Sequence, residues 1–375
     1  MITIDCTFPG GNIMVDSVEG EHILVHQDLR DTTTDWFYWY FRVREAAGKR
    51  ITVTFTQSNV IGVRGPAFSL DGGKTWAWLG AGAVSGQSFT CEVAPGSEEI
   101  RFSFGMPYLE ANLQEFLQRH THNPHLVVGE LCKTKKGRSA EMLRLGRLDG
   151  LCQHRVLLTC RHHCCEMMSS YSLEGILETI LTDPEIGAWF RENVEVLVVP
   201  FVDKDGVEDG DQGKNRAPRD HNRDYDHISV HPTTAALRKL VPDWSAGRLH
   251  LALDMHCPHI RGDYNEDIYF PGGPDPFNWH QVLRFSQMIE RVQSGTLVFD
   301  ASHNLPFGKA WNIAANGTQG LSFGGWSAKL RGIKLGTTIE IPYANASGIE
   351  VNAYTARAFG QDLAHAIQTY LLETR

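Results

Sequence analysis

Four short apolar runs, each followed closely by polar or charged residues, constrain the fold of this chain most strongly. They are RVLLTC, EVLVVPF, LHLALDM and GTTIEI, and stretches of helical pattern such as SLEGILETIL and TAALRKLV lie between them. A continuously apolar strand is typical of a sheet that helices cover on both faces. The alternation predicts an α/β region with a mixed, mostly parallel sheet flanked by helices.

The first third of the chain has a different pattern. Short strand-like runs, among them HILVHQ, RITVTFTQ and EIRFSF, are separated by turn residues, and Asp71-Gly72-Gly73 is a strong hairpin signal. This spacing predicts a smaller antiparallel β-sandwich. From Pro107 onward the helical run LEANLQEFLQRH marks a change. We therefore expect a β-sandwich domain at residues 1–110 and an α/β domain at residues 111–375.

Charge and hydropathy exclude some classes of partner. The net charge of −9 is spread along the chain without a basic run, which argues against nucleic acid and against an anionic membrane surface. No apolar stretch reaches the roughly 18 residues that a membrane span requires, and the N-terminal residues lack a secretory pattern. We expect a cytoplasmic protein whose eight cysteines stay reduced.

Metal-binding and acid–base side chains follow the apolar runs. His163 and Glu166 come after RVLLTC, His256 follows LHLALDM, and Glu340 lies near the end of GTTIEI. In an open α/β sheet, ligands bind beyond the carboxyl ends of the strands. A catalytic zinc ion takes three protein ligands, often two histidines and a carboxylate, and keeps one position for water. The sequence therefore predicts a zinc site at this edge of the sheet, with Glu340 acting on the metal-bound water.

An H-x-x-E pair alone is weak evidence in a chain with 17 histidines and 44 acidic residues. The other elements strengthen it. A histidine directly after an apolar strand and a glutamate inside the run TTIEI are costly to bury unless they have partners or a changed protonation state. A polar loop after EVLVVPF adds two arginines, Arg216 and Arg223, which suit anionic groups.

Seven motifs in the same order resemble those of the zinc metallocarboxypeptidases, specifically the cytosolic carboxypeptidase branch, which has a β-sandwich before its catalytic domain. CRHHCCE resembles the family's A-R-x-H-x-G-E zinc motif, DHNRDYD its D-L-N-R motif, and LDMHCP its D-x-H motif. VPFVDKDGV resembles the N-P-D-G-V loop, and GKNR is similar to that branch's G-N-x-R. TTIEI resembles the strand with the catalytic glutamate, and the segment from PYLEANLQEFLQ to EMLRLG resembles the start of the catalytic domain.

The resemblance implies a role for each matching residue. One zinc ion per chain would be bound by His163, Glu166 and His256. Glu340 would be the general base that activates the zinc-bound water, and later the acid that protonates the leaving amine. Arg216 would stabilise the oxyanion.

Two further residues would determine which substrates bind, because Asn222 with Arg223 would hold the terminal carboxylate. Where the family has small residues between the zinc ligands, this chain has Cys164 and Cys165. Many relatives also have a tyrosine that closes over the substrate, and NGTQGLSFGGWSAKLRG contains none. The departures leave the predicted metal ligands intact.

We predict a zinc-dependent metallocarboxypeptidase that hydrolyses the C-terminal peptide bond of peptides or of protein tails, including glutamate tails. One alternative is a zinc amidohydrolase of the deacylase type that cuts small N-acyl amino acids. Another is a non-catalytic peptide-binding protein on a peptidase scaffold. The β-sandwich and the helix PYLEANLQEFL favour the peptidase, and the intact metal ligands with Glu340 argue against loss of turnover.

Overall fold

The computed structural model describes residues 1–317 and 319–374. Thr318, in the stretch without the expected tyrosine, and Arg375 lie outside the described residues. Among the described residues, no helix combines the length and apolar character needed to cross a lipid bilayer.

Ten strands near the N-terminus form two five-stranded sheets. They are β1 (Thr3–Asp5), β2 (Met14–Glu19), β3 (His22–His26), β4 (Tyr40–Arg44), β5 (Arg50–Phe55), β6 (Ala67–Ser69), β7 (Ala77–Trp78), β8 (Val84–Ser85), β9 (Ser88–Glu92) and β10 (Glu99–Ser103). One sheet has the order β1-β4-β10-β6-β7 and the other β2-β3-β5-β9-β8. The described pairs are antiparallel apart from β3 with β5, which run parallel.

Aromatic side chains fill the space between these two sheets. Phe89 of one sheet and Phe102 of the other have ring centroids 5.0 Å apart, and Trp39 lies 4.8 Å from Phe55. All four side chains are buried. Because large rings remove much apolar area from water, these contacts hold the sandwich together.

The rest of the chain forms a helix-flanked sheet. Its elements are α1 (Glu110–Arg119), β11 (Leu126–Lys133), β12 (Ser139–Gly146), β13 (His154–Cys160), α2 (Met168–Thr182), α3 (Ile186–Asn193), β14 (Val194–Val199), α4 (Lys204–Asp209), α5 (Pro232–Ser245), β15 (Leu249–His256), α6 (Pro276–Val292), α7 (Phe323–Ser327), β16 (Leu335–Glu340), β17 (Asn345–Ala346), β18 (Ile349–Glu350) and α8 (Ala353–Glu373). The six-stranded sheet has the order β11-β12-β14-β13-β15-β16, and its last four strands are parallel. The predicted fold class is confirmed.

The two faces of the parallel strands pack against different helices. Val156 and Leu158 of β13 belong to a core that includes Ile176 of α2, whereas Leu157 belongs to a second core with Leu237 of α5. Successive residues of a strand point to opposite faces, so a strand covered on both sides must be apolar throughout. This burial explains why the four apolar runs were recognisable in the sequence.

Some elements were not predicted. In the aromatic run WFYWYFRV, strand β4 begins only at Tyr40, and the residues before it pack their rings without joining a sheet. The hairpin of β11 and β12 was also missed, because β11 alternates exposed and half-buried residues and lacks a continuous apolar run. Short helices such as α4 depend on local caps: the Asp203 carboxylate accepts a hydrogen bond from the backbone N–H of Gly206.

Candidate active site

The turn after β13 positions two of the predicted metal ligands. Arg161 has a positive φ of 61°, an uncommon conformation for a residue other than glycine. Its buried guanidinium donates hydrogen bonds to the carbonyl oxygens of Cys164 (2.8 Å) and Tyr108 (2.8 Å). This cation fixes the turn from within, so that His163 and Glu166 face the carboxyl edge of the sheet.

His163, Glu166 and His256 converge at one buried point. The two Nδ1 atoms lie 3.1 Å apart. The Glu166 carboxylate lies between the rings, with Oε1 2.7 Å from His163 Nδ1 and Oε2 2.6 Å from His256 Nδ1. Ligand atoms about 2.0 Å from a tetrahedral ion are about 3.3 Å apart, so the nitrogen separation suits one zinc ion. The three residues therefore fit the metal implied by the sequence.

Carboxylates lie behind both histidines. His256 Nε2 is 2.5 Å from Asp254 Oδ2, and His163 Nε2 is 3.6 Å from Asp220 Oδ1. Such carboxylates orient a ligating imidazole and raise its basicity. Although burial raises it, the pKa of the Asp254 carboxyl is held well below its usual range by the charges of His162 and His256. Asp254 is therefore an anion, and its contact with Nε2 holds the His256 ring in one orientation.

A second set of residues, His162, Asp254 and His256, also has ligand atoms within 4.8 Å of one another. Both ring nitrogens of His162 already have partners, because Nδ1 lies 2.8 Å from Asp254 Oδ1 and Nε2 lies 2.7 Å from the Tyr225 hydroxyl. The set with His163 and Glu166 is the better candidate for a metal site.

Glu340 lies beside this point. It is the in-register neighbour of His256 on the parallel strand β16, and such neighbours point to the same face of a sheet. The side chain is buried, and its Oε2 has no hydrogen-bond partner among the described residues. Burial, opposed by the charge of His256, raises the pKa of Glu340 to about 7. The carboxyl can therefore change its protonation state near neutral pH.

These residues line a cavity of about 380 Å³. His163, His256 and Glu340 form part of its wall, and Asn222 and Arg223 form another part. Three half-exposed apolar side chains also line it, Phe307, Trp311 and Ile313. The cavity thus combines polar groups for orientation with an apolar surface for a substrate side chain.

Asn222 and Arg223 lie on a short 3-10 turn, His221–Arg223. The Asn222 side-chain oxygen accepts a hydrogen bond from the backbone N–H of Phe323 (3.0 Å), so the amide NH₂ points away from α7. Arg223 donates to the carbonyl oxygens of Asn222 (2.9 Å) and Asn316 (3.3 Å). A guanidinium has five donors, so Arg223 keeps capacity for a ligand in the cavity.

Arg216, the predicted oxyanion stabiliser, is not brought to this cavity. Its guanidinium donates to Asp31 (2.8 Å), Asp203 (2.6 Å) and Asp211 (2.9 Å), and the side chain is largely buried. All three nitrogens are engaged by carboxylates, and Arg216 does not belong to the cavity lining. In this geometry Arg216 links the N-terminal region to the loop after α4, and its role as oxyanion stabiliser stays a prediction.

Lys214 lies at the site and was missed in the sequence. Its Nζ is 3.2 Å from His163 Nδ1 and 3.7 Å from Glu166 Oε1, and its side chain lines the cavity. The only available signal was its position in GKNR, two residues before the arginine to which the motif directed attention. A lysine in a polar loop is usually solvated, so the motif alone did not distinguish it.

Removing the carboxylate behind His256 should weaken metal binding. We expect Asp254→Asn to lower zinc affinity by about 10- to 100-fold, because the neutral amide no longer orients and polarises the imidazole. Competition with a chromophoric chelator measures this change. Asp263→Asn, in an exposed loop, is the control. An unchanged affinity in Asp254→Asn would contradict the metal site described here.

The raised pKa of Glu340 predicts a pH-dependent stability of the metal-free protein. An unfolded glutamate ionises around its ordinary value of 4.5, whereas folded Glu340 ionises near 7. Stability should therefore fall as the pH rises from about 4.5 to 7, since the folded state resists losing this proton. With a chelator present, the Tm difference between Glu340→Gln and the wild type should grow over this pH range. A Tm difference that does not change with pH would argue against the raised pKa of Glu340.

Comparison with known proteins agrees with the motifs. No protein-family model matches the chain. Over 209 residues, half of this chain, it is 27% identical to cytosolic carboxypeptidase 1 from Homo sapiens, of which the match spans 16%. The chain therefore corresponds to a small part of that protein.

Two solved structures have the same fold over the whole chain. A metallo-carboxypeptidase from Burkholderia cenocepacia has a TM-score of 0.81 at 20% identity, with both chains covered completely. A metallo-carboxypeptidase from Pseudomonas aeruginosa, in complex with (2-guanidinoethylmercapto)succinic acid, has a TM-score of 0.74 at 21% identity, again with complete coverage. The chain is thus similar in sequence to the cytosolic carboxypeptidases, and it has the fold of the bacterial metallo-carboxypeptidases.

Proposed function

We propose that this protein is a zinc-dependent metallocarboxypeptidase that removes the C-terminal residue of peptides or protein tails. The observation that carries the proposal is the convergence of His163, Glu166 and His256. Both histidines line the same cavity as Glu340 and Arg223. A metal ligand set, a base and a cation for a carboxylate are the three groups that this reaction requires.

The three ligands would hold one zinc ion per chain. Zinc bound there would lower the pKa of a coordinated water to about 7 and polarise the scissile carbonyl. Asp254 and Asp220 would keep the two imidazoles oriented toward the metal. Since all three ligand side chains are buried, bulk water is excluded from around them.

Glu340 would transfer the proton. Its ionised carboxylate takes a proton from the attacking water and, once protonated, donates it to the leaving amine. A carboxyl group beside the attacking water can act first as a base and then as an acid. The absence of a described hydrogen-bond partner at Oε2 leaves that oxygen available for the water.

Arg223 and Asn222 would bind the substrate's terminal carboxylate. A guanidinium can donate two parallel hydrogen bonds to a carboxylate, and the Asn222 amide can add a third. Hydrogen bonds between the Arg223 guanidinium and a carboxylate would select substrates with a free C-terminus. The apolar residues Phe307, Trp311 and Ile313 offer a surface for the side chain of the residue that is removed.

The same proposal includes the division of the chain into two domains and the cellular location of the protein. We assign residues 1–110 to a β-sandwich domain and residues 111–375 to the catalytic domain, since the last sandwich strand ends at Ser103 and α1 begins at Glu110. The name of the matched human relative supports a cytoplasmic location. A peptide or protein C-terminus is the proposed partner.

A peptide library with free and amidated C-termini tests the activity. Free peptides should become shorter by one residue, and amidated copies should survive. Arg223→Met should lower kcat/KM for free peptides by roughly 10- to 100-fold, because a hydrogen bond to a charged group is lost. Mass spectrometry follows the products, and Arg331→Met, at an exposed position, is the control.

Other outcomes of this screen would refute the proposal. Equal cleavage of free and amidated peptides would remove the role of Arg223. Hydrolysis of small N-acyl amino acids with no action on peptides would indicate a deacylase. Peptide binding without hydrolysis in the zinc-loaded protein would indicate a binding protein.

Replacing the base should separate metal binding from turnover. Glu340→Gln should keep close to one zinc per chain and lower kcat by about 10²- to 10⁴-fold, because the amide cannot accept the proton. Metal analysis and initial rates on the same preparation measure both. Glu115→Gln, at an exposed position of α1, is the matched control. Normal turnover in Glu340→Gln would mean that another group is the base.

A further inference from the structure

We propose that Lys214, rather than Arg216, supplies the positive charge that stabilises the scissile carbonyl oxygen as it becomes negative. This inference rests on the proposed carboxypeptidase activity and adds a catalytic residue to it. Negative charge develops at that oxygen in the transition state, so a positively charged donor there would stabilise it in addition to any metal.

Lys214 is placed at the reacting centre. Its ammonium contacts His163 Nδ1 (3.2 Å) and lies 3.7 Å from Glu166 Oε1, the same atoms that would bind a metal. A metal ion at this point would use those lone pairs. The three N–H donors of Lys214 would then be available to a substrate oxygen in the cavity that the lysine already lines.

The other cations near the cavity are committed elsewhere or lie away from the metal ligands. Arg216 is held by three aspartates and does not line the cavity. Arg223 lines it on the 3-10 turn that also carries Asn222. Lys329 lines it too, but it is exposed, and no described contact joins it to His163, Glu166 or His256.

The N-terminal region positions the loop that carries Lys214. The Asp31 carboxylate accepts hydrogen bonds from the backbone N–H groups of Gln212 (2.8 Å) and Gly213 (2.8 Å). The Thr33 hydroxyl donates to the Asn215 carbonyl (2.9 Å). These bonds fix the backbone on both sides of the lysine, so its side chain starts from a defined place.

An aromatic ring then directs the side chain. The Lys214 ammonium lies 5.6 Å from the centroid of the Trp36 ring, a distance at which a cation and a ring attract each other. The ammonium therefore lies between Trp36 and the metal ligands. Arg216 contributes to the same arrangement indirectly, since its bond to Asp31 ties the carboxylate that holds the loop.

Kinetics of Lys214 variants test the proposal. Lys214→Met should lower kcat by about 10²- to 10³-fold, the usual effect of losing one oxyanion donor, with a small change in KM. Lys214→Arg should recover part of the rate, because it restores a cationic donor. Lys239→Met, at an exposed position of α5, should behave as the wild type.

Binding measurements separate contact with the substrate from a structural role. A peptide phosphonate with a free C-terminus mimics the tetrahedral anion, whereas a free amino acid product presents the carboxylate alone. Lys214→Met should weaken phosphonate binding by about the same factor as it lowers kcat/KM. Binding of the amino acid, the zinc content and Tm should stay unchanged.

The outcomes distinguish this inference from the activity on which it rests. If the wild type shortens peptides and Lys214→Met has a normal kcat, Lys214 is not the donor, although the proposed function holds. Loss of zinc from Lys214→Met, or equal weakening of both ligands, would also overturn the inference. If the wild type shortens no peptide, the proposed function fails, and phosphonate affinity then decides whether Lys214 contacts an anion.

Discussion

The buried guanidinium of Arg161 holds the end of β13 in a left-handed turn, and the geometry of the site depends on this contact. Its hydrogen bonds to the carbonyl oxygens of Tyr108 and Cys164 support the turn, together with the backbone bond from the Glu166 N–H to the His163 carbonyl oxygen (3.2 Å). A positive φ at a residue with a long side chain costs free energy, which the surrounding bonds must offset. The parallel register of β15 and β16 completes the site, because it brings His256 and Glu340 to the same edge of the sheet.

The buried carboxylates at this edge of the sheet favour the binding of a cation. Glu166, Asp220, Asp254 and Glu340 are all buried there. Burying carboxylates without compensation is costly, and one partly buried cation, Lys214, offsets only part of that cost. In the metal-free protein the pKa of Glu340 is raised, and protonation of Glu340 removes one of these negative charges. A divalent metal ion would neutralise more of this negative charge.

The chain uses its cations in three different ways. Arg216 is locked among three aspartates and stabilises the junction between the N-terminal region and the loop after α4. Arg223 has donors left for a ligand, and Lys214 lies against the candidate metal ligands. The N-terminal region therefore contributes to the site, because its residues hold the backbone of this loop.

Residue patterns were sufficient to predict the four parallel strands of the sheet and the helices α2 and α5, and they identified the candidate metal ligands that the fold brings together. Burial on both faces forces β13 to β16 to be apolar, and the residues after such strands must meet at one edge. The placement of Arg216 and Lys214 was not predictable, because it depends on contacts with Asp31 and Trp36, about 180 residues away in the chain. Two cations in the same loop look alike in a sequence, and only the folded chain shows which one the aspartates neutralise.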